Sequence, residues 1–166
     1  PYGISKAAGI GICAHYRSQY GIHASSAILY NHESPRRSPG YVTQKIVRAG
    51  VAIKRRQQYR LVLGNLGARV DWAHAADHIR ALRLIADVSS PGNFIVASGE
   101  LNSVRDFGTH VFDCLGLNFD TYVDEDRTLI KSVEPQKELV GNSEKLRRMT
   151  GWKPKFTLQQ LARDMV

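Results

Sequence analysis

Short apolar runs alternate with amphipathic helical patterns along this chain, and this alternation constrains the fold more than any other feature. Strand-like runs occur at residues 23–30, 61–63 and 94–97, with helical spacing of apolar residues between them. Strands that alternate with helices are typical of βαβ units with a largely parallel sheet. We therefore predict an α/β fold. The 166 residues are 43% hydrophobic, which is enough for a packed core and excludes a disordered chain.

The predicted helices are bounded by residues that favour helix ends. A helix over residues 5–20 is followed by Gly21, which suits the left-handed cap. Ser103 and Asp106 form a capping-box pattern ahead of another helix. The remaining predictions are helices over 42–56 and 74–88, a short helix from Asn142 to Gly151, and a last helix after Thr157.

Two of these helices carry packing predictions. Ile79, Leu82 and either Ile85 or Ala86 lie at helical spacing and form an apolar stripe that we expect to face the core. Cys13 lies on an apolar face of the first helix, where a cysteine is more often buried than reactive. Gly9 and Gly11 in the same helix lower helix propensity, which predicts that another element approaches closely.

The charge of the chain favours anionic ligands but identifies none. Lys and Arg number 23 against 15 Asp and Glu, a formal charge of +8. The basic pairs are scattered, and no zinc-finger spacing or RNA-binding aromatic motif accompanies them. No apolar run approaches the ~20 residues of a membrane-spanning helix. We expect neither a nucleic-acid nor a membrane partner. With only Cys13 and Cys114, we expect no disulfide scaffold and a reducing, cytoplasmic location.

Glycine-rich phosphate loops are missing from the sequence. No strand runs into G-x-G-x-x-G, and no loop reads G-x-x-x-x-G-K. The chain therefore lacks a dinucleotide fingerprint of its own. It opens with Pro1 rather than Met. Two alternatives stay open: a processed start, or a sequence that begins within a longer protein.

A tyrosine and a lysine stand four residues apart at the start of the first helix. Tyr2 and Lys6 therefore project from one face. A neighbouring ammonium stabilises tyrosinate, so the tyrosine can exchange a proton with a sugar hydroxyl or ketone. Such a pair is weak on its own, because it occurs by chance in many helices. Here residues 29–37, LYNHESPRR, follow it.

Together these runs resemble the extended short-chain dehydrogenase/reductase family, and within it the GDP-mannose 4,6-dehydratases. NHESPRR after Y-x-x-x-K is highly specific, and the resemblance covers almost the whole chain. Further matching runs lie at residues 42–46, 63–66, 71–77, 97–100, 103–107 and 151–154. The resemblance implies the C-terminal part of a Rossmann-type fold with a smaller nucleotide-sugar-binding domain. We expect residues 1–40 and 71–99 in the cofactor-binding domain, and residues 41–70 and 100–166 in the substrate domain.

The resemblance also implies roles for individual residues. Tyr2 would be the catalytic tyrosine, and Lys6 its partner and a contact of the nicotinamide ribose. His32 and Arg37 would contact NADP, a cofactor that rests on the resemblance alone. The implied contacts of the nucleotide-sugar are Asn31, Thr43, Lys45, Gly64, Asn65 and Arg69.

Members of this family convert GDP-mannose to GDP-4-keto-6-deoxymannose. They oxidise the sugar at C4 by hydride transfer to NADP, remove water across C5–C6 and return the hydride to C6. The assisting Ser or Thr and Glu would precede Tyr2, so we expect the isolated 166-residue chain to be inactive. Relatives pair subunits through the first helix, so we expect a homodimer or homotetramer. We expect no metal, because His74 and His78 lack a third ligand.

Two positions depart from the family pattern. The expected diphosphate-binding arginine falls on Val70, and Arg69, one residue away, points to the opposite face of an extended segment. Glu134-Pro135 is the nearest match to an Arg-Pro-x-Glu-Val run. These departures leave open a different nucleotide-sugar, an epimerase or reductase of the same fold, or a non-catalytic remnant.

Overall fold

Helices and strands alternate along the chain in the computed structural model, which describes residues 1–130 and 138–166. The fold is α/β, as predicted, and the Glu134-Pro135 run lies outside the described residues. The helices are α1 (Tyr2–Tyr20), α2 (Val42–Lys54), α3 (Ala75–Ala86), α4 (Val104–Cys114), α5 (Phe119–Tyr122), α6 (Glu144–Thr150) and α7 (Leu158–Met165), with a 3-10 turn at Arg127–Leu129. The strands are β1 (Ser26–Leu29), β2 (Asn31–Glu33), β3 (Leu61–Leu63), β4 (Arg69–Val70), β5 (Trp72–His74), β6 (Asn93–Val96), β7 (Asn102–Ser103) and β8 (Val123–Glu125).

Parallel pairing dominates the strands. β1 pairs with β6, β2 with β5 and β3 with β8, all parallel, whereas β4 and β7 are antiparallel. The strand expected over 23–30 is shorter, and a second strand, β2, follows it after Tyr30. The Tyr30 N–H still donates to the Val96 carbonyl at 3.0 Å. Among the described residues, the second edge of β1 has no strand partner.

Two hydrophobic cores hold these elements together. The larger lies between α2, α4 and α7 and includes Ile46, Phe107 and Leu161. The smaller lies against β6, where Phe94 and Trp152 pack with residues of α3 and α6. The second core thus joins α6 and Trp152, late in the chain, to the β1–β6 pair.

The helix-end predictions are confirmed for α4 and α7. Both reciprocal hydrogen bonds of a capping box are formed by Ser103 with Asp106 and by Thr157 with Gln160. Gly21 and Gly151 adopt the left-handed conformation after α1 and α6. Ser143, rather than Asn142, is the residue before α6.

The apolar stripe predicted for α3 is confirmed at Ile85, which is buried, and is wrong at Ile79 and Leu82, which are exposed. Ile79 is 65% exposed, whereas the inner face carries Asp77, His78, Ala81 and Ile85. Hydrogen bonds explain the difference, because the Asp77 carboxylate accepts from the backbone N–H groups of Lys155 at 2.9 Å and Phe156 at 3.1 Å. A carboxylate can be buried when its oxygens accept hydrogen bonds from the protein. Asp77 therefore takes a place on the buried face of α3 that an apolar residue was expected to fill.

Helix α1 departs most from expectation. None of its 19 residues is buried. Cys13 is only half-buried, and among the described residues no atom of another element lies within 4 Å of a Cβ built on Gly9. Both packing predictions for α1 are therefore wrong within this single chain, because only one side of the helix rests on the protein. No helix of the described residues has the length and apolar character to cross a membrane.

Candidate active site

Tyr2, Lys6 and His32 line one groove between the start of α1 and β1. The groove has a volume of about 380 Å³. Its remaining lining is apolar and consists of Ile10, Ala27, Ile28 and Leu29. Three of the predicted site residues are thus brought together.

The Tyr2–Lys6 pair follows from the local helix geometry. Because α1 begins at Tyr2, the four-residue spacing places both side chains on one face. The Lys6 Nζ lies 5.3 Å from the centroid of the Tyr2 ring. Tyr2 is 76% exposed. A cation next to an accessible phenol can stabilise a negative charge on the phenolic oxygen.

His32 has one ring nitrogen fixed by the backbone. Its Nδ1 lies 2.9 Å from the Tyr30 carbonyl oxygen. A carbonyl oxygen only accepts, so Nδ1 carries the proton of the neutral ring and Nε2 is left as an acceptor. The ring of His32 also packs against that of His78, with 4.9 Å between their centroids.

His78 lies beneath His32 in an unusual environment. It is 1% exposed, and neither ring nitrogen has a hydrogen-bond partner in the described part of the chain. Burial, followed by repulsion from a charged His32, lowers the pKa of His78 to about 4. The ring is therefore neutral at pH 7.

Glu33, Thr43, Arg37 and Tyr41 form a compact set around the loop between β2 and α2. The Thr43 hydroxyl donates to the Glu33 carboxylate at 2.6 Å, and the Arg37 Nε lies 3.3 Å from the same oxygen. The Arg37 guanidinium stacks on the Tyr41 ring at 3.4 Å. Burial raises the pKa of Glu33, against the opposing effects of the Thr43 hydrogen bond and the Arg37 charge.

The residues predicted to contact the nucleotide-sugar lie in different settings. Asn31 is exposed at the start of β2. Thr43 is fully buried, and its hydroxyl is engaged by Glu33. The Lys45 ammonium donates to the Val62 carbonyl of β3 at 2.9 Å.

Gly64 and Asn65 directly follow β3. The Asn65 side chain accepts from the Gly67 N–H at 3.0 Å and so tightens this turn. Arg69 and Val70 form β4, where successive side chains point to opposite faces. Val70 packs against the larger core, whereas the half-exposed Arg69 reaches to within 3.8 Å of Glu138.

The run Asp71–Asp77 has a structural explanation. The buried Asp71 carboxylate accepts from the N–H groups of Ser98 at 2.9 Å, Gly99 at 3.0 Å and Gly141 at 3.1 Å. His74 caps α3 with Nδ1 and donates from Nε2 to Asp164 at 2.9 Å. Both nitrogens of His74 are therefore engaged. No group of three or more metal-ligating side chains occurs in the described ranges.

Sequence reasoning assigned no role to Glu33 or His78. Glu33 stands within the NHESPRR run, where alternation along a strand turns it away from its neighbour His32 and into the protein. The sequence predicted no strand at residues 31–33, so it gave no signal that Glu33 would face inward. Nothing in the sequence signalled that His78 packs on His32, since the two are 46 residues apart.

Comparison with known proteins identifies the family. A family profile described as GDP-mannose 4,6 dehydratase matches residues 1–165. The chain belongs to this family. It is 39% identical over 166 residues to GDP-mannose 4,6 dehydratase 1 of Arabidopsis thaliana, covering 100% of this chain and 46% of the relative. It is 35% identical over 182 residues to GDP-mannose 4,6-dehydratase of Sinorhizobium fredii, covering 100% and 52%. The chain thus spans about half the length of these GDP-mannose 4,6-dehydratases.

Two solved structures of known proteins share the fold of this chain. RMD from Pseudomonas aeruginosa, complexed with NADPH, has a TM-score of 0.87 at 23% identity and matches 99% of this chain and 54% of its own. dTDP-glucose 4,6-dehydratase from Bacillus anthracis, in complex with NAD, has a TM-score of 0.82 at 18% identity, with 99% and 50% covered. These likenesses confirm the predicted Rossmann-type fold of this GDP-mannose 4,6-dehydratase family member.

Proposed function

We propose that this chain carries the tyrosine–lysine pair and the nucleotide-sugar-binding part of an NADP-dependent GDP-mannose 4,6-dehydratase. The observation that carries the proposal is the groove in which Tyr2, Lys6 and His32 meet. Family membership supports the reaction: oxidation of the sugar at C4, loss of water across C5–C6, and reduction at C6. The product is GDP-4-keto-6-deoxymannose.

The groove residues fit a nicotinamide cofactor. Apolar side chains from β1 suit the face of a flat ring. The Lys6 ammonium can donate to ribose and phosphate oxygens, and the free Nε2 of His32 can accept from a ribose hydroxyl. Lys6 and His32 would hold the cofactor in the groove, and Arg37 would bind a phosphate. When bound, NADP accepts a hydride from the sugar and later returns it.

Tyr2 acts as the acid–base residue in this proposal. Its phenolic oxygen takes the proton of the C4 hydroxyl as the sugar is oxidised at that carbon. The Lys6 ammonium lies on the same face of α1. It stabilises the negative charge that the phenolic oxygen of Tyr2 carries when it accepts the proton. The high exposure of Tyr2 leaves room for a sugar next to the ring.

On the substrate side, Asn31, Lys45, Gly64, Asn65 and Arg69 border the nucleotide-sugar. The Lys45 ammonium supplies a point charge for a diphosphate once it leaves the Val62 carbonyl. Thr43 contributes indirectly, because its hydroxyl is engaged by buried Glu33. We place residues 1–40 and 71–99 on the cofactor side and residues 41–70 and 100–166 on the substrate side, except α6 and Trp152, which share the core of β6.

A second candidate is a related enzyme for a different nucleotide-sugar, such as an epimerase or reductase. Val70 favours it, because this position packs against the core and offers no cation for a diphosphate. Arg69 points to the other face, towards Glu138. The two candidates differ in the nucleotide-sugar that binds and in the product.

A binding titration followed by an assay tests the proposal. We expect the chain to bind GDP-mannose in preference to dTDP-glucose or UDP-glucose by calorimetry. We expect the 166-residue chain alone to give no turnover. We expect the protein made by its source organism to convert GDP-mannose to a 4-keto-6-deoxy sugar. Tyr2→Phe in that protein should lower kcat by about 10²–10⁴-fold, the usual contribution of a positioned acid–base group. Equal turnover of the variant, or preference for another nucleotide-sugar, contradicts the proposal.

We also propose that α1 forms a homodimer or homotetramer interface. Ile4, Ile12, Tyr16 and Tyr20 are exposed along this helix. Contiguous apolar surface of this kind is typical of a protein–protein contact.

A further inference from the structure

The loop between β2 and α2 is held at both ends by one buried carboxylate. Glu33, the last residue of β2, is 2% exposed. Its carboxylate accepts from the hydroxyl of Thr43 in the first turn of α2 at 2.6 Å. The loop itself contains two turns, in which Arg37 N–H donates to Ser34 O at 2.9 Å and Tyr41 N–H to Ser38 O at 3.2 Å. The backbone around Arg37 is therefore preorganised.

The Arg37 side chain is held on one edge and one face. Its Nε lies 3.3 Å from the Glu33 carboxylate in an ion pair that lacks hydrogen-bond geometry, and its plane lies on the Tyr41 ring at 3.4 Å. The two terminal nitrogens have no partner among the described residues. A guanidinium fixed in this way presents its outer edge as a fork that matches two oxygens of a phosphate.

Burial of Glu33 is unfavourable for folding in itself. Burial raises the pKa of the Glu33 carboxyl, because the charged form loses its solvation by water inside the protein. A buried ion pair is weak support for stability, since apolar replacements are often as stable. The geometry around Arg37 offers a different reason for keeping the charge.

We propose that Glu33 is a positioning residue that orients Arg37 for a phosphate group of a dinucleotide. It touches no ligand itself and acts through the guanidinium. The identity of the anion rests on the function proposed above, whereas the orientation of Arg37 does not. Glu33→Gln separates orientation from folding, because the amide oxygen can still accept from Thr43 but the charge that attracts Arg37 is removed.

The first experiment measures Arg37 directly in the full chain. The Nε–Hε group of Arg37 is observed by ¹⁵N NMR and assigned with Arg37→Lys. We expect an ordered signal in the wild type and a mobile one in Glu33→Gln. Asp124→Asn is the matched control, because it removes the carboxylate partner of Arg60 from an exposed pair and should leave Arg37 unchanged. An unchanged Arg37 signal in Glu33→Gln overturns the proposal.

The second experiment measures NADPH affinity by fluorescence titration in the protein as its source makes it. We expect Glu33→Gln to weaken binding about tenfold in the wild-type background, equivalent to ~1.4 kcal/mol, and to have no effect in the Arg37→Lys background. Equal weakening in both backgrounds means that Glu33 does not act through Arg37, and it overturns the proposal. If the wild type binds no NADPH, the proposed function fails, and the NMR result alone decides the role of Glu33.

A second variant covers the case in which Glu33→Gln does not fold. Glu33→Asp keeps the charge, but its side chain is one methylene shorter, so the carboxylate lies farther from Arg37. We expect it to mobilise Arg37 less than Glu33→Gln does. Circular dichroism confirms the fold of every variant before titration.

Discussion

At the scale of single residues, His78 is the least satisfied buried group in the described part of the molecule. Its ring supports His32, yet neither nitrogen has a hydrogen-bond partner. The unfolded chain has an ordinary histidine pKa of 6.5, whereas burial lowers the pKa of folded His78 to about 4. As the pH falls below 6.5, the unfolded state therefore takes up a proton that the folded state does not.

We predict that His78 makes the folded state acid-sensitive. Its contribution to the free energy of unfolding should decrease from pH 6.5 to about pH 4 and then level off, by about 3 kcal/mol at most. His78→Phe should remove this part of the pH dependence, whatever it does to stability at pH 7. Urea unfolding at a series of pH values measures the difference. The exposed His15→Phe is the control, and equal pH profiles for wild type and His78→Phe would contradict the prediction.

At the scale of elements, α4 and α5 approach each other as closely as a glycine allows. A Cβ built on Gly108 of α4 would overlap Cε2 of Phe119, the first residue of α5. Phe119 is itself packed edge-on against Phe112, so its ring has little freedom to move away. Gly50 of α2 differs, since its nearest atom is the end of the flexible Leu115 side chain at 2.9 Å.

Alanine substitution at these two glycines should therefore differ in effect. Gly108→Ala forces the Phe119 ring to move, and overpacking of this kind typically costs about 1–3 kcal/mol. Gly50→Ala should cost less, because Leu115 can change rotamer and alanine favours the helix. Denaturant unfolding of both variants measures the two values. A Gly50→Ala variant less stable than Gly108→Ala would show that the α4–α5 contact is not the tighter one.

At the scale of the whole molecule, two surfaces lack cover within the described residues. The 19-residue helix α1 buries none of its residues, and β1 pairs with β6 on one side only. Exposed apolar helix faces favour association. The position of Tyr2 and Lys6 on α1 links this surface to the groove.

We predict that α1 mediates self-association. Ile12→Lys should shift the protein towards monomer, because a charge at a packed apolar contact is expensive to bury. Ile79→Lys on α3 is the matched control, since Ile79 is also exposed but lies on a different helix. Sedimentation velocity over a range of concentrations measures the shift. A wild-type chain that is monomeric at every concentration would contradict the proposal. Equal dissociation of the two variants would contradict it as well.

Much of the fold follows from local chemistry. Capping residues such as Ser103 and Gly151 set helix ends through bonds within a few residues, so they were predictable. The pair Tyr2 and Lys6 was predictable for the same reason, because helix geometry alone aligns residues four apart. The stripe on α3 was not, because Asp77 is buried by partners that lie near residue 155.

By itself, the sequence determined the α/β class, several helix ends and the alignment of Tyr2 with Lys6, since each depends on neighbours along the chain. Only the tertiary structure placed His78 beneath His32 and packed Val70 against the larger core. It also buried Thr43 against Glu33, where it had been expected at the ligand. These contacts join residues far apart in sequence or depend on which face of a strand is covered. The face of a strand that is buried is set by how all the helices and strands pack together and by which hydrogen bonds they form.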